Sequence, residues 1–81
     1  MNTYTTKFVL ACVVNQKQVE HFLTISTQEI IVVEDLLSFI KNLEPAFHEI
    51  IANKLAEKFG GKQVLVANHH GVTISTERAT W

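Results

Sequence analysis

The chain has 81 residues, one cysteine and a formal net charge of −1, and 47% of its residues are hydrophobic against 19% charged. This balance excludes an intrinsically disordered chain, which needs few apolar residues and a high net charge, and it gives no overall basic field for nucleic acid. One cysteine excludes an intramolecular disulfide, and the longest apolar run, Phe8–Val14, is far too short to span a bilayer. We therefore predict one small cytoplasmic domain, residues 1–81, with no membrane partner.

Two strand-like runs rich in Val, Phe, Leu and Thr begin the chain, at residues 5–14 and 19–26. Polar residues separate them, and we predict a tight hairpin turn centred between Gln16 and Lys17. This hairpin pairs Phe8 with Ile25. This register is favoured because it places the apolar side chains of both strands on the same side of the hairpin. A one-residue slip would distribute them over both sides.

The next segment, Glu29–Val33, is ambiguous. Its β-branched residues from Ile30 onward favour a strand, whereas Ser26-Thr27-Gln28-Glu29 matches a capping box that opens a helix. We favour a short edge strand, followed by a helix that begins near Val33 and repeats apolar residues at helical spacing.

A second helix follows Pro45, which ends the first helix and can occupy the first position of the second. Gly60-Gly61 ends this second helix. Its apolar stripe is predicted from i, i+4 spacing as Phe47, Ile51, Leu55 and Phe59.

The last segments, Lys62–Ala67 and Val72–Glu77, indicate a closing hairpin around Asn68-His69-His70-Gly71. A three-residue loop with Gly71 at positive φ and a two-residue turn both fit this hairpin. The predicted fold class is α+β: an antiparallel sheet of four to five strands, in the order β-β-(β)-α-α-β-β, with two helices packed on one face.

Two pairs of residues approach known catalytic patterns without completing them. His48-Glu49 begins the H-E-x-x-H pattern of zinc proteases, but Ala52 stands where the second histidine belongs, so we expect a solvated His and Glu. Cys12 and His21 are cross-strand neighbours in the predicted register, yet a free cysteine on an apolar strand face is usually a small hydrophobe. We predict no catalytic residue, no cofactor and no enzyme activity.

The pair His69-His70 is the most visible polar feature of the chain. Together with His21 or His48 it has the chemistry to bind a transition metal, because imidazole suits zinc, copper and nickel. Adjacent residues point to opposite faces of a strand but converge in a turn. Histidines in a hairpin loop are more often tolerated than functional, so no metal ligand is predicted, and a metal-binding protein or small enzyme around His69 and His70 stays an alternative.

A second alternative is a small nucleic-acid-binding module that uses Lys54, Lys58 and Lys62. Three lysines without interleaved aromatic residues or arginine are a weak signal for nucleic acid. They serve equally to complement the helix dipole.

The leading prediction is a non-catalytic protein-binding module: an adaptor, an inhibitor or a small accessory protein of a bacterial or phage mobile element. Its partner is another protein or a second copy of the chain. If the helices cover one side of the sheet, an apolar strip is left exposed on the other, and such strips mark interfaces. A tryptophan near a chain end is a further candidate anchor. The predicted partner-binding residues are Val9, Ala11, Val13, Phe22 and Trp81.

Overall fold

The computed structural model describes residues 1–80, which form four strands and two helices of an α+β fold in the order β-β-α-α-β-β. The elements are β1 (Asn2–Ala11), β2 (Gln18–Thr27), α1 (Val33–Lys41), α2 (His48–Phe59), β3 (Gly61–His69) and β4 (Val72–Thr80). Within residues 1–80 no helix has both the length and the apolar character needed to cross a membrane.

The four strands form one antiparallel sheet in the order β1-β2-β3-β4. β1–β2 and β3–β4 are hairpins of neighbouring strands. β2 and β3 lie side by side at the centre, and the chain between them carries both helices. This topology gives the sheet two edge strands, β1 and β4.

The hydrophobic core lies between the two central strands and the helices. The odd-numbered residues of β2, and Gln63, Leu65 and Ala67 of β3, are buried, because successive side chains of a strand point to opposite faces. They pack on apolar residues of both helices, so α1 and α2 cover the same face of the sheet. Each such residue contributes about 1.5–3 kcal/mol when fully buried. The main core residues are Leu23, Ile25, Leu36, Ile51, Ala52, Leu55 and Leu65.

The first hairpin has a longer connection than predicted. Tyr4, not Phe8, lies opposite Ile25, and Phe8 lies opposite His21. The predicted register was wrong because β1 ends at Ala11, and residues 12–17, which include Val13 and Val14 from the predicted strand, form a six-residue loop instead of a two-residue turn. The shift along β1 is an even number of residues, so Phe8 and Leu10 still face the core, whereas Cys12 and Val14 lie in the loop.

Two features of this loop explain its length. The Asn15 side-chain oxygen accepts a hydrogen bond from the Lys17 N–H at 3.0 Å, and Gln16 adopts a positive φ of 61°. Asparagine bonds its own backbone two residues on more readily than most residues do. The loop is therefore held by hydrogen bonds within residues 12–17.

Residues 28–32 form neither strand nor helix, so the predicted edge strand was wrong. The Glu29 N–H donates to the Thr27 hydroxyl at 3.0 Å, and the Ile31 N–H donates to the Tyr4 hydroxyl at 3.0 Å. Ile31 is buried against the core. Side-chain acceptors thus replace the strand partners that this segment lacks, and the prediction that α1 begins near Val33 is confirmed.

The second helix begins later than predicted. Pro45 lies in the connection between the helices, and α2 begins at His48 with Phe47 as its N-cap residue. Phe47 is 62% exposed, so it does not belong to the core stripe. The buried face of α2 is instead formed by His48, Ile51, Ala52, Leu55 and Ala56.

The closing hairpin has the two-residue turn, formed by His70 and Gly71 at positive φ angles of 55° and 87°. This is the turn geometry that matches the twist of paired strands. Asn68 stabilises the turn because its side-chain oxygen accepts a hydrogen bond from the Gly71 N–H at 2.9 Å. Gly60 ends α2 as predicted, with its N–H bonded to the Ala56 carbonyl.

Candidate metal centre

Three histidines that are distant in sequence meet at one end of the core. His21 lies on β2, His48 is the first residue of α2, and His69 is the last residue of β3. One potential ligand nitrogen of each ring lies within 4.8 Å of those of the other two. The structure therefore brings one nitrogen of each of the three imidazoles close together.

The local structure explains this convergence. His21 and His69 occupy odd positions of the central strands, so both side chains lie on the helix-covered face. His48 lies on the buried face of α2, in line with Ile51 and Ala52 at the helical spacing i+3 and i+4. The helix thus adds the third imidazole from above the sheet.

The imidazole of His21 is fixed by two contacts and is only 2% exposed. Its Nδ1–H donates to the Val19 carbonyl at 3.0 Å, because a carbonyl oxygen only accepts. Its ring stacks on Phe8, with centroids 5.0 Å apart and planes 3° from parallel. In this tautomer Nε2 carries the free lone pair.

The imidazole of His48 is also 2% exposed. Its Nε2–H donates to the Leu65 carbonyl at 3.0 Å, which leaves the lone pair on Nδ1. Within residues 1–80, this Nδ1 and the Nε2 of His69 are buried and have no hydrogen-bond partner. A buried polar atom without a partner normally costs about 1–3 kcal/mol, so these two nitrogens require an explanation.

Burial also sets the charge of the cluster. Desolvation lowers the pKa of His21 and of His48 below the ordinary value, and the hydrogen bonds to Val19 and Leu65 only partly oppose this effect. Both imidazoles are therefore neutral at neutral pH. Neutral imidazole is the form that binds metals.

The geometry fits a metal ion after a small rearrangement. Zinc holds nitrogen ligands at about 2.0–2.1 Å in tetrahedral geometry, which places two ligand nitrogens about 3.4 Å apart. The ring planes of His21 and His48 are 16° from parallel, so both rings must tilt for their lone pairs to converge. Rotation about the last side-chain torsion of histidine has a broad minimum and permits this movement.

The surroundings match those of known metal ligands. Metal-binding histidines almost always donate their other ring N–H to a carboxylate or main-chain carbonyl, which fixes the tautomer and raises the basicity of the ligand nitrogen. His21 and His48 both do so, through Val19 and Leu65.

A cleft of about 460 Å³ opens beside the cluster, and His48 and His69 form part of its wall. Cys12 also lines the cleft, and hydrogen bonds from the backbone of Asn15 and then Val14 lower the pKa of its thiol. The rest of the wall is mostly apolar, formed by Val13, Val14, Ala46, Phe47 and Ile74, and it also includes Asn15, Glu49 and His70.

The structure separates the two histidines of the predicted pair. His70 lies in the turn, exposed, and its side chain contacts Asn15. His69 joins both His21 and His48 instead of one of them. The expectation that His48 is solvated was wrong, and its spacing to Ile51 and Ala52 was the signal that placed it on the buried face.

The other predicted sites are dispersed. Lys54 and Lys58 lie on α2, whereas Lys62 is an even-numbered residue of β3 and lies on the face of the sheet that the helices leave uncovered. The three lysines therefore do not share one surface. Cys12 lies beyond the end of β1 and not opposite His21, because Phe8 occupies that position.

The uncovered face of the sheet carries three of the predicted partner-binding residues: Val9, Ala11 and Phe22. Val9 is 56% exposed and Phe22 is 48% exposed. Val13 lies in the loop after β1 and lines the cleft. Trp81 lies outside the described residues.

Comparison of the chain with models of protein families, with curated proteins and with solved structures finds no match.

Proposed function

We propose that this protein binds a divalent transition-metal ion through His21, His48 and His69. The observation that carries this proposal is the pair of buried nitrogens without partners, Nδ1 of His48 and Nε2 of His69, which lie beside a third imidazole. A metal ion satisfies all three lone pairs at once and removes the cost of leaving them unbonded. Imidazole ligands suit Zn²⁺, Co²⁺, Ni²⁺ and Cu²⁺.

Thermal unfolding and calorimetric titration test this proposal on protein treated with a chelator. A ligand that binds only the folded state adds about 2.7 kcal/mol of stability at a free concentration of 100 times its Kd. We expect Zn²⁺ to raise the melting temperature and to bind with a stoichiometry of one. Replacing His69 by Gln should abolish both effects.

The exposed His70 supplies the matched control, because it is the sequence neighbour of His69 but lies outside the cluster. His70→Gln should bind Zn²⁺ as the original protein does. Equal stabilisation of the original protein and the His69→Gln variant, or none of either by any of the four ions, would refute the proposal.

A second candidate function is protein binding through the uncovered face, and the exposure of Phe22 and Val9 favours it. Phe22 lies between Lys7 on β1 and Val66 on β3, near the middle of that face. Large exposed aromatic residues commonly anchor interfaces. The partner of this face would be another protein or a second copy of the chain, as expected from the sequence.

Sedimentation over a range of concentrations tests self-association, and affinity capture with and without nuclease tests other partners. Replacing Phe22 by Thr should abolish the association while leaving the melting temperature within a few degrees. Replacing the exposed Val72 of β4, which lies on the helix-covered side, should not affect it. Association that survives Phe22→Thr would contradict this candidate.

A further inference from the structure

We propose that the bound metal keeps one coordination position open to the cleft, and that this position binds the anionic donor group of a small molecule whose apolar body lies along the cleft wall. This inference rests on the proposed metal site. It assigns to the cleft a ligand class: a small monoanion with an aliphatic or aromatic body.

The cluster provides fewer protein ligands than a closed zinc site has. Among residues 1–80, the cluster contains three potential ligands, His21, His48 and His69. Structural zinc sites are closed by four protein ligands, whereas sites with three protein ligands keep a fourth position for water or substrate. The cluster belongs to the second kind.

The cleft lies beside two of the three histidines of the cluster. His48 and His69 both line it, and the unpartnered nitrogen of each is buried. His21 is not part of the cleft wall and is covered by Phe8 instead. An ion held by the three rings therefore has its protein ligands on the core side and its free position toward the cleft.

The charge of a bound divalent ion favours an anionic ligand. Three neutral imidazoles leave the full double positive charge on the ion, and a monoanion reduces it in a poorly hydrated environment. Glu49 is the acidic residue of the cleft wall, but it is exposed and is not part of the cluster. The ion therefore favours an anionic donor from outside the protein.

The apolar wall of the cleft favours a ligand with an apolar body. Phe47 is 62% exposed although it is large and apolar, and it lines the cleft together with Val14 and Ile74. The cleft volume of about 460 Å³ lies within the range of sites for small molecules. An apolar body covers this wall and removes it from water.

Cys12 and His70 are competitors for the open position, because both line the same cleft. Both lie outside the group of atoms within 4.8 Å. Coordination by Cys12 would close the site and exclude an external ligand. The experiment must therefore separate these two arrangements.

Cobalt-loaded full-length protein provides the test, because the visible spectrum of Co²⁺ reports its ligands. Azide tests the open position alone, and acetate and 3-methylbutanoate test the apolar wall. We expect azide to change the spectrum. We expect 3-methylbutanoate to bind more tightly than acetate, by roughly fourfold for each additional buried carbon group.

Phe47→Ala should remove most of the preference for 3-methylbutanoate and leave azide binding unchanged. Ile30→Ala is the matched control, because Ile30 is an exposed apolar residue that does not line this cleft. Equal affinities for acetate and 3-methylbutanoate would overturn the assignment of the apolar body.

A thiolate-to-cobalt charge-transfer band that disappears in Cys12→Ser, with no response to azide in the original protein, would overturn the open position. Failure of cobalt to bind at all would overturn the metal site itself. The two failures are therefore distinguishable.

Discussion

The imidazole rings of His21 and His48 stack with their centroids 5.9 Å apart, and each ring donates its other N–H to a main-chain carbonyl. One of these carbonyls belongs to β2 and the other to β3. The backbone of the central strands thus selects the tautomer of both histidines. This relationship fixes which nitrogen of each ring is free to bind an ion before any ion arrives, so that on binding only the tilt of the rings has to change.

The stability of the metal-free protein should fall as the pH drops below about 6.5. Burial lowers the pKa of His21 and His48 in the folded state, whereas in the unfolded chain both have the ordinary value of about 6.5. Between these values the unfolded state binds more protons, so each histidine reduces the free energy of unfolding by up to about 1.4 kcal/mol per pH unit. Urea titrations at a series of pH values measure this slope.

His48→Gln is the informative variant for this pH dependence. The Gln side chain keeps an amide that can donate to the Leu65 carbonyl, but it does not titrate. We expect a smaller slope below pH 6.5 in this variant and an unchanged slope in His70→Gln. An unchanged slope in His48→Gln would contradict the assignment.

Replacing Gly61 by Ala should destabilise the protein through a direct clash. The added Cβ would lie 2.6 Å from the Ser26 carbonyl oxygen, at a positive φ of 72°. We expect a loss of about 2–4 kcal/mol in the free energy of unfolding, measured by urea titration. Gly71→Ala is the control, because Gly71 also has a positive φ but its Cβ would meet nothing within 4 Å. Equal losses in the two variants would show that the clash contributes nothing.

Replacing Tyr4 by Phe should loosen the connection before α1. The Ile31 N–H would lose its acceptor, the Tyr4 hydroxyl, while the aromatic ring stays in place. We expect a loss of about 1 kcal/mol and faster hydrogen exchange at the Ile31 amide. Thr5→Val removes an exposed hydroxyl from the same strand and should change stability by less than about 0.5 kcal/mol. Unchanged exchange at Ile31 in Tyr4→Phe would argue against this role of the hydroxyl.

Replacing Gln63 by Leu should destabilise the C-terminal end of α2. The Gln63 amide donates to the Leu55 carbonyl at 3.1 Å and to the Gly60 carbonyl at 2.8 Å. Gly60 lies beyond the last residue of α2, so its carbonyl has no intrahelical donor and loses its side-chain partner in the variant. We expect a loss of about 1–2 kcal/mol in a urea titration, against little change for the exposed Gln28→Leu. A neutral effect of Gln63→Leu would show that water replaces these bonds.

The sequence was sufficient for the element order and for the faces of the first hairpin. Alternation in β1 and β2 identified the core side even though the register was wrong, because the error was an even number of residues. The loop at residues 12–17 was missed because its geometry depends on the Asn15 side chain and on Gln16 at positive φ, and two-residue turns compete closely with such loops.

The candidate site could be predicted only in part. The chemistry of histidine indicated His69 together with either His21 or His48 as possible ligands. The prediction also paired His69 with His70, but His70 lies in the turn, outside the cluster. The helix face was the other source of error. Counting i, i+4 from Phe47 identified the buried Ile51 and Leu55 but placed Phe47 in the core and left His48 in solvent, whereas tertiary packing buries His48.

The chain consists of two parts that meet between α1 and α2. The first part contains the β1–β2 hairpin and α1, and the second contains α2 and the β3–β4 hairpin. Contacts within each hairpin are close in sequence, whereas pairing of β2 with β3 must close a long loop and is the slower kind of step in folding. His21 belongs to the first part, and His48 and His69 belong to the second. A metal ion at the cluster would therefore bridge the two parts, so that two fragments cut between α1 and α2 should reassemble more tightly in its presence.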